Sequence, residues 1–215
     1  MVESSARVCL AGLEAMSGRF GDARELLARG RGIAEELGLR VWIGGYSLLA
    51  NDIEMLVGDP AAAEKELRRG YAILEEIGER GVLARVAAAL ARALFEQGQD
   101  DEAARFAEQS ATLGSADVAS QISLQAVRGR LAARRGDMEA AETFVQDALR
   151  LAAATDDTNQ HARVLLDHAH IFELRGRTDD AVGAVQQAVS LFEQKGNVIS
   201  AEAARGLLPT PAKPT

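Results

Sequence analysis

A glycine that recurs about every forty residues constrains the fold of this 215-residue chain more than any other feature. The five glycines are spaced by 40, 40, 38 and 40 residues: Gly18, Gly58, Gly98, Gly136 and Gly176. An alanine stands five residues after each of them: Ala23, Ala63, Ala103, Ala141 and Ala181. A small residue stands twelve after each: Gly30, Gly70, Ser110, Ala148 and Ala188. Self-similarity at such a period predicts a stacked repeat architecture, in which each unit is one supersecondary element.

Each unit is predicted to be two helices joined at the glycine, because glycine adopts the left-handed conformation that ends a helix. Capping residues are predicted to begin the second helices: Asp59, Asp100, Asp137 and Thr178. Pro60 is the only proline outside the C-terminal tail, and it stands where a first helical residue is expected. Aromatic residues are only 4% of the chain, so the core must be built mainly from Ala, Leu, Val and Ile, as suits closely packed helices.

We therefore expect a single all-α solenoid over residues 1–208. The units are predicted at 1–38, 39–78, 79–114, 115–155 and 156–196, with a capping helix in 197–208. First helices are expected near 4–17, 41–57, 81–97, 117–135 and 160–175. Second helices are expected near 22–37, 60–77, 101–113, 139–153 and 179–195. The proline-rich residues 209–215 are predicted to be a disordered tail.

The repeat pattern resembles the tetratricopeptide repeat (TPR), which has small residues around a turn glycine. The fifth unit matches best, at Ala169, Phe172, Gly176, Ala181 and Ala188. The repeat pattern departs from the family in its length, since the usual repeat has about 34 residues. It also lacks the proline that ends the usual repeat and the large aromatic residue early in its first helix. The resemblance implies a right-handed α–α superhelix. Long repeats of this kind are similar to the C-terminal regions of bacterial multidomain regulators, such as LuxR-type ATP-dependent activators and ATPase-linked cyclases.

Composition and motifs argue against several function classes. A net charge of −8 argues against nucleic acid or an anionic membrane as partner, and no apolar run approaches the ~20 residues of a membrane span. We expect a cytoplasmic protein. The lone Cys9 is predicted to be a structural residue on an apolar face. His161, His168 and His170 lack the spacing of a metal site, and no phosphate loop or nucleophile elbow occurs. We therefore expect no metal, no cofactor and no enzymatic activity.

The resemblance also implies where a partner binds, because first helices line the concave face of TPR superhelices. Inner positions, counted back from the turn glycines, carry basic residues in units three to five: Arg85, Arg92, Arg130, Arg134, Arg163 and His170. Guanidinium groups bind carboxylates in a bidentate way, so one interpretation is a groove for an acidic protein segment. The other interpretation is ordinary solvated arginines in surface ion pairs, such as Arg92 with Glu96. The leading hypothesis is a non-enzymatic, regulatory protein-interaction scaffold.

Two further hypotheses concern the N-terminal units. Trp42 and Tyr46 are one helical turn apart and share a helix face. They form either an aromatic wall for a small ligand or the packing between units one and two. The first interpretation belongs to an alternative function, a small-molecule sensor domain of a larger regulator. In addition, an uncapped N-terminal repeat exposes apolar surface, which predicts self-association through that repeat.

Overall fold

The structure is a computed structural model that describes residues 2–114 and 117–209. Within these residues the chain forms eleven α-helices and no β-strand. The first helices of the units are α1 (Val2–Met16), α3 (Arg40–Val57), α5 (Gly81–Glu96), α7 (Val118–Arg134) and α9 (Thr158–Leu174). The second helices are α2 (Phe20–Glu36), α4 (Pro60–Glu76), α6 (Asp100–Leu113), α8 (Met138–Ala152) and α10 (Thr178–Lys195), followed by α11 (Val198–Arg205). The chain is thus an all-α helical repeat solenoid.

The observed helix bounds agree closely with those expected from the sequence. The ten paired helices begin and end within about two residues of the predicted positions, as is usual for helix boundaries. The capping helix ends at Arg205 rather than at residue 208. Most of the predicted disordered tail, residues 210–215, lies outside the described residues.

The turn glycines end the first helices because they adopt a backbone conformation that other residues avoid. Gly58 has φ of 86° and caps α3, and the other four turn glycines also have positive φ. The Asp59 and Asp137 side chains accept hydrogen bonds from the backbone amides of Ala62 and Ala140, as expected of N-caps. These contacts stabilise the tight turn between the two helices of a unit.

Two of the predicted caps are wrong. Helices α6 and α10 each begin one residue earlier than a cap at Asp100 or Thr178 requires, so both residues lie inside the helix. The N-cap positions are held by Gln99 and Arg177, whose side chains make no capping hydrogen bond. Asp100 is paired with Arg134 instead, which ties the second helix of unit three to the first helix of unit four.

The recurring small residues lie where the two helices of a unit touch. A Cβ atom on Gly70 of α4 would lie 2.6 Å from the carbonyl oxygen of Gly44 in α3, so no side chain fits. In the third unit, Ser110 Oγ donates a hydrogen bond of 2.9 Å to the carbonyl of Ala84. Ala148 of the fourth unit is completely buried. Small residues at this position therefore allow the helix axes to approach closely.

The first and last parts of the solenoid are in contact. Asn159 Nδ2 of α9 donates to Met16 Sδ of α1 over 3.1 Å, and Asn197 Nδ2 donates to Asn159 Oδ1 over 3.1 Å. A methyl group on Gly18 would lie 3.0 Å from Ile199 Cδ1 of α11. The superhelix therefore closes on itself, and the space on its concave side is limited.

Candidate functional site

The concave face is formed by α3, α5, α7 and α9, and these four helices line a partly open cavity of about 150 Å³. Small side chains make room for it, among them Ala89 of α5 and Ala119 and Ser123 of α7. Three of the basic residues singled out from the sequence line the cavity: Arg85, Arg92 and Arg163. The other three do not line this cavity: Arg130, Arg134 and His170.

Each of the five arginines has a carboxylate partner within the chain. Arg85 Nε lies 3.2 Å from Asp117 Oδ2, and its side chain remains 44% exposed. Arg134 pairs with Asp100, and its Nη1 also donates to the carbonyl of Phe95 over 3.1 Å. The arginines therefore belong to a network of ion pairs and do not form an uncompensated positive surface.

Asp167 is the centre of this network. Its side chain is only 1% exposed, and it accepts hydrogen bonds from Arg92 Nη1 over 3.1 Å and from Arg130 Nη1 over 2.8 Å. The charge of Asp167 raises the pKa of the Arg92 guanidinium above its ordinary value, because the charged pair is favoured at this short distance. A buried carboxylate is stable only with such partners, so Asp167 fixes the positions of both arginines.

Sequence reasoning missed Asp167, although a signal for it was present. The same repeat position carries an apolar residue in the other four units: Cys9, Leu49, Ala89 and Val127. An acidic residue at a position that is otherwise apolar indicates a buried charge with a dedicated partner. The sequence analysis also did not connect the arginines with their other acidic partners: Asp52 with Arg163, Asp117 with Arg85 and Asp100 with Arg134.

His170 lies beside this network rather than in the cavity. Its Nδ1 is 4.0 Å from Glu173 Oε2, and its side chain is exposed over nearly half its surface. Burial of the ring lowers its pKa below the ordinary value, and the positive charges of Arg130 and Arg134 lower it further. His170 is therefore mostly uncharged at neutral pH and adds little to the positive charge of this face.

The two aromatic residues of α3 have different environments. Tyr46 is buried in the core shared by units one and two, and its hydroxyl lies 2.8 Å from Ser4 Oγ. Trp42 is exposed, with its ring centroid 6.2 Å from that of Tyr46 in an edge-on arrangement. Both line a shallow, open depression of about 440 Å³ together with Val8 and Val82. Tyr46 thus packs between units one and two, while Trp42 stays partly exposed to solvent.

Cys9 is not a buried structural residue, contrary to the expectation from sequence. It is exposed on the face of α1 that also carries Leu10 and Leu13. Within the described ranges no group of three His, Cys, Asp or Glu side chains has the arrangement of a metal site. Of the helices in those ranges, none has the length and apolar character needed to cross a membrane.

These features define a TPR-like superhelix. Residues 121–194 match the family model described as tetratricopeptide repeat. TPR folds generally mediate protein–protein interactions and are generally non-catalytic scaffolds. No curated protein sequence matches the chain significantly.

Solved structures of TPR proteins have a similar fold. A STAND protein with a tetratricopeptide repeat sensor from Pyrococcus horikoshii superimposes with a TM-score of 0.60 at 18% identity, over 94% of this chain and 31% of that one. The APC/C hetero-tetramer Cut9–Hcn1 gives a TM-score of 0.67 at 15% identity, and the match covers 96% of this chain and 38% of that one. A thermophilic TPR protein of Thermus thermophilus gives a TM-score of 0.57 at 19% identity, and the match covers 95% of this chain and 100% of that one. The chain thus spans about a third of the length of the STAND protein.

Proposed function

We propose that the chain is a non-enzymatic interaction scaffold that binds an acidic segment of a partner protein at its concave face. The observation that carries this proposal is the series of arginines on consecutive first helices. Arg85 and Arg134 keep 44% and 39% of their side chains exposed. Both therefore remain accessible to a partner carboxylate.

Binding of the segment would replace the internal carboxylate partner of an arginine with a carboxylate of the segment. A planar guanidinium has five N–H donors, so an arginine that holds one intramolecular carboxylate keeps donors for a second one. Partly exposed pairs such as Arg85 with Asp117 contribute little to stability, so a partner can replace the internal carboxylate at small cost. The acidic segment supplies the charge that the internal aspartates otherwise supply.

The size of the cavity favours an extended segment over a helical one. The cavity has about 150 Å³, which is room for individual side chains rather than for a whole stretch of backbone. The contacts of Met16 with Asn159 and of Gly18 with Ile199 also hold the first and last units together. An extended segment that inserts individual Asp or Glu side chains fits this space.

The similarity to the STAND protein, whose TPR part is called a sensor, supports a regulatory role. We propose that the chain forms the regulatory region of a bacterial signalling or transcription-regulatory protein. Such a region acts by binding, and its location would be the cytoplasm.

A capture experiment tests the acidic-segment proposal. Wild-type protein and an Arg85→Glu/Arg134→Glu variant are used as bait in a lysate of the source organism, beside the control Arg150→Glu, whose arginine is exposed and pairs with Asp147. We expect a partner on the wild type and on the control but not on the double variant. Peptides of that partner should bind when their Asp and Glu residues are present, and lose binding when these are changed to Asn and Gln. Equal capture by all three baits would show that the interface lies elsewhere.

Self-association through the first unit is a second candidate. Leu10 and Leu13 of α1 are 44% and 53% exposed, whereas the equivalent Ala50 and Ile53 of α3 are buried in the core between units one and two. In unit two the equivalent face of α3 packs against the preceding unit. In α1 this face is free to pack against α1 of a second copy, since both copies present the same face.

The oligomeric state tests this candidate directly. Sedimentation analysis should show a dimer for the wild type and for Leu37→Glu, whose leucine is exposed at the end of α2. Leu13→Glu should be a monomer. A monomeric wild type at ~100 μM would contradict self-association, since a dimer with a Kd of ~1 μM is saturated there.

The alternative function, a small-molecule sensor, is favoured by the cavity itself. Trp42 and Tyr46 line the shallow depression and not this cavity. A ligand in the cavity would contact the arginines and not the aromatic pair.

A further inference from the structure

Gln160 lines the cavity, and its side-chain amide is held against α7. Gln160 Nε2 of α9 donates to the carbonyl of Ala119 over 2.8 Å and to Ser123 Oγ over 3.0 Å, which fixes the orientation of the amide group. Gln160 Oε1 is buried, and no group among the described residues donates to it. This oxygen has almost no accessible surface, so Gln160 forms part of the cavity wall and its oxygen does not contact a ligand in the cavity.

The same cavity carries groups of both charges. Arg85, Arg92 and Arg163 line it together with two acidic residues, Asp52 and Asp157. A purely anionic ligand would bind the arginines but would face both carboxylates. A purely cationic ligand would face three guanidinium groups. The lining therefore favours a molecule with a carboxylate and an ammonium group.

Apolar side chains form the remaining wall. Leu48, Ile122 and Val164 line the cavity beside the small residues of α5 and α7. A volume of about 150 Å³ holds on the order of ten water-sized groups. This space matches an aliphatic side chain together with the two charged groups of an amino acid.

We propose that the cavity binds a free α-amino acid with a small or medium aliphatic side chain. Its carboxylate binds Arg85 and Arg92, and its ammonium group donates to Asp52. Its side chain contacts Leu48 and Val164. This site does not depend on the acidic partner segment, but the two share Arg85, so the amino acid would compete with the segment and regulate its binding.

Thermal unfolding and calorimetry on the whole chain test the ligand class. The probes are L-alanine, L-valine and L-leucine, beside isovalerate, which lacks the ammonium group, isoamylamine, which lacks the carboxylate, and N-acetyl-L-leucine. A ligand that binds only the folded state raises the melting temperature with its concentration. We expect at least one aliphatic amino acid to bind, and the three analogues to bind about tenfold or more weakly, equivalent to the loss of ~1.4 kcal/mol.

Two results would overturn the proposal. One is the absence of binding for all three amino acids at ~10 mM, a concentration that detects even millimolar affinity. The other is equal or tighter binding of isovalerate or N-acetyl-L-leucine, which would show a simple anion site or a site for a peptide C-terminus. Neither result affects the acidic-segment proposal, because its test measures the capture of a partner protein and its Asp- and Glu-containing peptides and not the binding of amino acids.

Two variants locate the site. Asp52→Asn removes the carboxylate that faces the ammonium group and should weaken binding about tenfold or more. Ala89→Leu fills the cavity without a change in charge and should abolish binding. If Ala89→Leu does not fold, Ala119→Leu is used as the cavity-filling variant instead. The control Asp101→Asn changes an exposed residue in the first turn of α6 and should bind as the wild type does. Wild-type affinity in Asp52→Asn or in the cavity-filling variant would contradict the assignment.

Discussion

Arg163 Nη1 of α9 lies 3.2 Å from Asp52 Oδ1 of α3, although 111 residues separate the two in the sequence. Repeat solenoids are held together mainly by contacts between adjacent units. This pair instead joins the second unit to the fifth across the concave face. The side chains are 35% and 41% exposed, so the pair is partly solvated.

We predict a small coupling energy between Asp52 and Arg163. Partly exposed ion pairs are worth less than ~1 kcal/mol, because water and salt screen them. A double-mutant cycle with Asp52→Asn and Arg163→Gln, measured by urea denaturation, should give a coupling in that range that decreases at high salt. A coupling above ~2 kcal/mol would mean that the closure of the superhelix depends on this pair.

Asp167→Asn should be much more destabilising than the loss of the ion pair between Asp52 and Arg163. The substitution leaves Arg92 and Arg130 facing a neutral amide in a partly buried site, which should cost about 2–3 kcal/mol of unfolding free energy. Chemical denaturation measures this loss. Asp101→Asn, at an exposed position, should stay within ~0.5 kcal/mol of the wild type. A similar small effect in Asp167→Asn would refute its role as the centre of the network.

Gly70→Ala and Gly183→Ala should have opposite effects. A Cβ at position 70 would lie 2.6 Å from the Gly44 carbonyl oxygen, so the helices of unit two must separate, at a cost of about 1–3 kcal/mol. A Cβ at position 183 in α10 meets nothing within 4 Å, so alanine should stabilise that helix by ~0.5–1 kcal/mol. Thermal unfolding of both variants tests the argument, and a stabilised Gly70→Ala would contradict the close approach.

The stability of the protein should fall as the pH decreases below about 6.5. Burial lowers the pKa of His161, His168 and His170 below the ordinary value of 6.5, so the unfolded chain binds protons that the folded chain excludes. The stability from the neutral rings is fully present above a pH of about 6.5 and is lost as the pH falls through the lowered pKa values. Urea denaturation between about pH 7.5 and pH 5 measures this loss.

His168→Gln identifies one contribution to this pH dependence. The His168 ring lies 3.9 Å from the Phe172 ring, and no described residue hydrogen-bonds to its buried Nε2. Burial lowers the pKa of His168 and is the largest influence on it. Among the neighbouring charges, Arg177 also lowers this pKa, whereas Glu142 and Asp180 raise it. The variant should therefore lose less stability on acidification than the wild type does. An unchanged slope would show that His168 takes no part.

The helices were predictable because their signals lie within short stretches of sequence: the turn glycines, the recurring small residues and the spacing of the apolar residues. The same reasoning could place the arginines on first helices but could not find their partners. The pairing of Arg163 with Asp52 and of Arg92 with Asp167 depends on how tightly the superhelix curves, which is the sum of small rotations between units. The exposure of Cys9 was missed for a related reason, since residue type indicates burial only where another helix covers the face.

The contact between α1 and α11 changes how such a chain should come apart. An open array of repeats loses structure unit by unit from either end, because its terminal units have only one neighbour each. Here Met16 contacts Asn159 of the fifth unit, and Gly18 lies against Ile199 of the capping helix, so both termini are restrained by the same interface. Opening one end removes a neighbour from the other, which couples their fraying and makes the unfolding of the whole chain more cooperative.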